Sequence, residues 1–266
     1  MGRKFSLAIA GKAAVGAVLL SLASAVPGHA QQFAEAKMSK AVQVEMDYLL
    51  HLPKDYDSSA QAYPLVVYLH GGGAADLDGV KRNFLPSQIA KGGDYPFIML
   101  APRNPRTKGF FPQESVQTLV EHICETYRVD RDRVYLIGYS RGAFASFQIV
   151  QNYPDAYAAL VAVSGGGIPQ YLDRVRPDMP VWVFHGTRDN TIKLGESVAM
   201  VQRLRELGGN REIRFTVYED ANHTDTERMA FSEPQLFEWL LDKRRGEPDT
   251  PVAKSVETIA RAAVVQ

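Results

Sequence analysis

The chain has 266 residues, enough for one sizeable catalytic domain or at most two small ones. Hydrophobic residues make up 45% and charged residues 23%, an ordinary globular composition that excludes a disordered or fibrous chain. The formal net charge is zero, so neither nucleic acid nor a polyanionic partner is expected.

The first thirty residues stand apart. Arg3, Lys4 and Lys12 make a basic start, residues 13–26 are uncharged and mostly apolar, and Gly28-His29-Ala30 is a small-x-small triplet. This three-part pattern predicts a secretory signal over residues 1–30, cut after Ala30 or, as the alternative, after Ala25. The apolar run falls short of the roughly 20 residues that a spanning helix needs. No stable membrane insertion is therefore expected after cleavage, and the protein is expected to be exported, periplasmic or secreted. Cys124 is the only cysteine, which leaves no internal disulfide. It shares a helical face with Val116, Leu119, Val120 and Ile123, a core position and not a reactive one.

Beyond residue 40 short apolar runs alternate with helical patterns. Strands are predicted at 42–52, 65–69, 97–100, 134–137, 159–163, 181–184 and 213–218. Helices are predicted at 113–127, 141–151, 195–207 and 231–243. Nearly continuous apolar strands separated by helices imply a mostly parallel, twisted sheet covered on both faces. In such sheets chemistry collects at the carboxyl ends of the strands. The catalytic domain is placed at 31–245. Residues 246–266 are read as an extension, either disordered or a short helix starting near Asp249-Thr250-Pro251.

Gly138-Tyr139-Ser140-Arg141-Gly142 fits G-x-S-x-G between a strand and a small-residue helix. There a serine hydroxyl is lifted out of the sheet and set over a helix N-terminus. A serine needs a base, and the base needs an orienting acid. The expected chain order is Ser, Asp, His. Among the histidines after Ser140, His185 ends the strand 181–184 and His223 follows the strand 213–218. This order selects Ser140, Asp189 and His223, with His185 supporting the Asp189 loop. Asp178 and Asp220 are the rival acids. Gly72 and Gly73, after the strand 65–69, and the backbone N–H of Arg141 are the candidate oxyanion donors. No Walker A, H-E-x-x-H, C-x-x-C or G-x-G-x-x-G pattern occurs, so no cofactor and no metal site is expected. Asp220, His223, Asp225 and Glu227 read as a solvated loop.

At these residues the chain resembles the α/β-hydrolase superfamily. More narrowly it resembles lid-poor bacterial carboxylesterases related to polyhydroxybutyrate depolymerases, feruloyl esterases and dienelactone-hydrolase-like "predicted peptidases". The resemblance covers about residues 45–244 and rests on several motifs. These are Tyr68-Leu-His-Gly-Gly, the stretch from Tyr127 through Gly142, Ser164-Gly-Gly-Gly, Phe184-His-Gly-Thr-Arg-Asp189 and Asp220-Ala-Asn-His223. It implies an α/β-hydrolase fold and carboxylic ester hydrolysis through an acyl-enzyme. The roles of nucleophile, acid and base fall on Ser140, Asp189 and His223. Arg141 departs from the family, which commonly has Met or Gln there. Gly109-Phe110-Phe111 stands where relatives place pocket-wall tryptophans. Phe110, Phe111 and Tyr139 are accordingly the candidates for substrate contact. Only residues 164–180 separate two strands where larger lipases insert a cap, so no lid domain is expected. The substrate is expected to be a small-molecule or polymer ester. The alternatives are a serine peptidase of the prolyl-oligopeptidase type and a non-catalytic binding protein on this scaffold.

Overall fold

A computed structural model describes residues 36–247 and, as backbone only, 255–261. The chain divides into Met1–Val42 and Gln43–Gln266. Of the first unit only residues 36–42 are described; they are irregular and exposed. The proposed signal lies outside the described residues. The second unit carries every described element. No helix among the described residues is long and apolar enough to cross a membrane.

The second unit is an eight-stranded sheet in the order β1-β3-β2-β4-β5-β6-β7-β8. Its strands are β1 (Tyr48–His51), β2 (Tyr63–Leu69), β3 (Ile98–Pro102), β4 (Val129–Tyr139), β5 (Ala159–Val163), β6 (Val181–Gly186), β7 (Ile213–Glu219) and β8 (Ser255–Arg261). Only β1 runs antiparallel; the other pairings are parallel. Strands β2, β5 and β6 are buried along their whole length, as their unbroken apolar sequences require.

Side-chain alternation divides these strands between two cores. Leu65, Val67, Leu69, Leu136, Leu160 and Val183 face one layer. It contains α3 (Gln113–Thr126), α4 (Arg141–Asn152) and α5 (Leu194–Leu207). Val66, Tyr68, Ile137, Val161, Val163 and Phe184 face the other. That layer contains α1 (Leu77–Lys81), α2 (Phe84–Ala90), α6 (His223–Phe231) and α7 (Leu236–Asp242). Each buried Leu or Val contributes on the order of 1.5–3 kcal/mol. Cys124 packs against the first core, and burial pushes its thiol up to about 11.

Several elements differ from the sequence expectation, among them α1 and α2, which were not expected, and β4, which starts at Val129 and not at 134. The strand expected over 42–52 shrinks to Tyr48–His51, paired with Met99–Pro102 of β3. Among the described residues before Tyr48 only Asp47 still pairs, its O accepting the Arg103 N–H at 2.8 Å; Val42 and Val44 are exposed. The helix expected over 231–243 shrinks to α7, Leu236–Asp242, because Pro234 disfavours helical backbone in Glu233 before it, and the residues from His223 to Phe231 form α6, which was not expected. In the tail, expected as short helix or disorder, Ser255–Arg261 form β8 parallel to β7. Asp249-Thr250-Pro251 lie outside the described residues. Between β5 and β6 the chain makes one 3-10 turn, Pro169–Arg174, whose Leu172 is buried.

Candidate active site

The sharp passage from β4 to α4 begins with a packing constraint. A Cβ on Gly142 would stand 1.9 Å from Leu69 O, and one on Gly138 would stand 2.4 Å from Gly142 O. The two glycines thus let α4 start directly against β2 and β4. Ser140, between them, has φ 53° and ψ −118°, a left-handed conformation that strains a non-glycine residue. Its N–H donates to Val163 O at 2.8 Å, and its carbonyl accepts the N–H groups of Ala143 and Phe144. These bonds hold the strained turn.

His223 is the first residue of α6. Asn222 caps that helix by accepting the N–H groups of Thr224 and Asp225. The cap fixes the imidazole over the end of β4, with Nε2 2.9 Å from Ser140 Oγ and Nδ1 2.6 Å from Asp189 Oδ2. Asp189 Oδ1 accepts the N–H groups of Thr191 and Ile192, both at 2.9 Å. Asp189 is almost fully buried. Burial alone would raise its pKa, but the bonds from His223, Ile192 and Thr191 outweigh it and hold the carboxyl below its ordinary value.

His185 underpins this loop. Its Nε2 lies 3.0 Å from Ile192 O and 3.4 Å from Asp189 Oδ2, and its Nδ1 lies 2.7 Å from Ser197 Oγ. Burial lowers its pKa. The rival acids are engaged elsewhere: Asp220 pairs with Arg188 and Asp178 with Arg176. Asp225 pairs with Arg228, and Glu227 turns inward to accept from Tyr68 Oη and Phe84 N–H. The acidic residues around His223 therefore point apart.

The glycine loop after β2 comes close to Ser140: a Cβ on Gly71 would lie 3.3 Å from Ser140 Cβ. Gly73 has φ 92°, which favours glycine. Among the described residues, the N–H groups of Gly72, Gly73 and Arg141 donate to no acceptor. His70 braces the loop from below. Its Nδ1 lies 2.6 Å from Gly71 O, and its Nε2 accepts the Asn104 N–H at 3.1 Å. That pattern requires a neutral ring, and burial lowers the His70 pKa accordingly.

Two of the three expected substrate contacts are buried. Phe111 is 2% exposed and packs edge-on against His70, with ring centroids 5.0 Å apart. Tyr139 is 7% exposed; its ring lies 5.0 Å from that of His223, and its hydroxyl donates to His223 O at 3.3 Å. Both support the site from behind. Phe110 stays exposed beside Phe144. His70 and Asn104 had no assigned role in the sequence reading, and Glu227, read there as part of a solvated loop, lies on α6 and turns inward. Only the histidine of His70-Gly-Gly-Gly carried a signal, as part of the glycine motif.

A family described as phospholipase/carboxylesterase matches residues 107–233, just under half of the chain, a span containing Ser140, Asp189 and His223. A solved thermostable esterase is 26% identical, with a TM-score of 0.64 over 76% of this chain and 60% of its own. Poly(3-hydroxyalkanoate) depolymerase C of Paucimonas lemoignei is 26% identical over 129 residues, 44% of this chain and 30% of that protein. Feruloyl esterase B of Thermothelomyces thermophilus is 25% identical over 130 residues, 44% of this chain and 43% of that protein. The chain thus spans less than half the length of these two curated relatives. Sheet order, the serine turn after β4 and these likenesses together show that the chain has the α/β-hydrolase fold.

Proposed function

We propose that this protein is a serine hydrolase that cleaves carboxylic esters through an acyl-enzyme. The observation that carries the reading is the unbroken relay Ser140–His223–Asp189, with contacts of 2.9 and 2.6 Å, on a strained turn beside unpaired N–H donors. In the first step Ser140 Oγ attacks the ester carbonyl while its proton passes to His223 Nε2. The carbonyl oxygen takes the negative charge and accepts from the N–H groups of Arg141 and of Gly72 or Gly73. The C–O bond to the alcohol then breaks, and His223 returns the proton to the leaving oxygen. In the second step water, deprotonated by His223, attacks the acyl-serine, and collapse releases the acid and restores Ser140. Asp189 holds the imidazole with Nε2 toward the serine and stabilises its cationic form.

Relatives whose names include an esterase and a polymer depolymerase support small-molecule or polymer esters as the substrate class. The reading includes export, supported by the basic start, the apolar run and Gly28-His29-Ala30; N-terminal sequencing of protein from the periplasm or medium tests it. The chemistry is tested by pre-steady-state hydrolysis of p-nitrophenyl butyrate by residues 31–266. The expected result is a burst of about one nitrophenolate per chain, absent in Ser140→Ala. Equal turnover by wild type and Ser140→Ala overturns the reading.

A further inference from the structure

The hydrolysis derived above uses only the backbone N–H of Arg141. Its side chain does something else. Nη1 donates to Thr107 O at 2.8 Å, which ties the guanidinium to the loop after β3. Nη2 and Nε lie 3.1 and 3.2 Å from where a Cβ on Gly72 would be, so the other edge of the fork covers the glycine loop. That edge borders a pocket lined also by His70, Gly73, Asn104 and Arg106.

The loop facing it is built, not slack. Asn104 Nδ2 donates to Gly109 O at 2.8 Å, and Asn104 Oδ1 accepts the Arg106 N–H at 2.9 Å. The Asn104 N–H itself reaches His70. Arg106 and Lys108 are exposed on this loop. Among the described residues, no carboxylate pairs with Arg141, Arg106 or Lys108. The acids of the adjoining segments are taken: Asp47 by Arg103, and Asp76 by the Gly79 N–H. Two cations, Arg141 and Arg106, thus line this pocket, and among the described residues no carboxylate pairs with either.

We propose that the ester accepted here carries an anionic group, a carboxylate or a phosphate, bound by the Arg141 guanidinium with Arg106 beside it. The proposal rests on the ester-hydrolase reading. A planar guanidinium fork matches such oxyanions in two parallel hydrogen bonds, and one edge held by Thr107 O removes most of the ordering cost. Phe110, exposed on the same loop against Phe144, supplies an apolar lip for the uncharged part of the substrate.

The test compares p-nitrophenyl esters of matched length whose acyl chains end in a methyl, a carboxylate or a phosphonate. Wild type is expected to favour one or both anionic esters by roughly 10- to 100-fold in kcat/KM at low salt. The preference is expected to shrink as salt screens it. Arg141→Gln is expected to bring the ratio of anionic to neutral ester near one, with Arg141→Lys between, because an ammonium lacks the fork. The better of the two anionic arms identifies the group. A wild-type ratio near or below one, or a ratio kept by Arg141→Gln, overturns the proposal while leaving ester hydrolysis intact. Cleavage of none of the three esters overturns the ester-hydrolase reading, and this proposal with it.

Discussion

Two segments meet at Ser140 and are held in opposite ways. The turn from β4 to α4 is held by backbone: two glycines that tolerate no Cβ and a strained serine anchored to β5. The loop from Arg103 to Phe111 is held by side chains, with Asn104 binding three neighbours and Arg141 reaching across to Thr107. The first leaves no freedom at the reacting atom. The second leaves its outward side chains open to change without disturbing the sheet. Reaction and selectivity are therefore expected to respond to different substitutions.

The comparison breaks most visibly at the relay. Asp189→Asn leaves the fold in place but removes the acceptor for His223 Nδ1–H, and kcat is expected to fall by about 10⁴. The same variant reads out acid stability. The folded-state pKa of Asp189 lies below its ordinary 3.8, so its contribution is full above that pH and fades as pH falls through the folded value. The stability gap between wild type and Asp189→Asn should therefore narrow below about pH 4 in urea titrations.

Next in size is Gly142→Ala. Its methyl would collide with Leu69 O, so a loss of about 1–3 kcal/mol is expected, with activity falling as α4 shifts. Asn104→Ala should act on the other segment alone. It removes a side-chain bond at each end of the loop, so KM should rise several-fold with kcat little changed, at a cost of about 1–2 kcal/mol. If Asn104→Ala lowers kcat as much as Gly142→Ala does, the two segments are not separable.

The smallest effect concerns Glu227. Burial raises its pKa above the ordinary 4.5, so ionisation of this group opposes folding increasingly as pH rises past 4.5. Glu227→Gln keeps an acceptor for Tyr68 and Phe84 and should raise the melting temperature slightly at neutral pH, with no gain below 4.5.

The same division explains what was legible in the sequence. Sheet class followed from continuous apolar runs such as 65–69 and 159–163, because burial on both faces leaves a period-free apolar signature. Candidates Ser140, Asp189 and His223 followed from chain order, and the structure brings those three side chains together. Substrate-facing residues were not legible. Phe110 and Phe111 are adjacent in sequence, yet one is exposed and the other lies under His70. Which of the two turns outward depends on Asn104 and His70, contacts made across 34 residues. The break at Pro234 was missed, because the amphipathic pattern was followed through it from 231 to 243. Strand β8 gave no apolar run to find it by, since charged and polar residues interrupt Ser-Val-Glu-Thr-Ile-Ala-Arg over 255–261.

The central claim is that the strained serine is the nucleophile. Peptide mapping by mass spectrometry after treating the folded protein with a fluorophosphonate tests it most directly. The account predicts one adduct per chain, on the peptide containing Ser140, abolished in Ser140→Ala and strongly slowed in Asp189→Asn. A folded wild type that stays unlabelled, or an adduct on any residue other than Ser140, would contradict it.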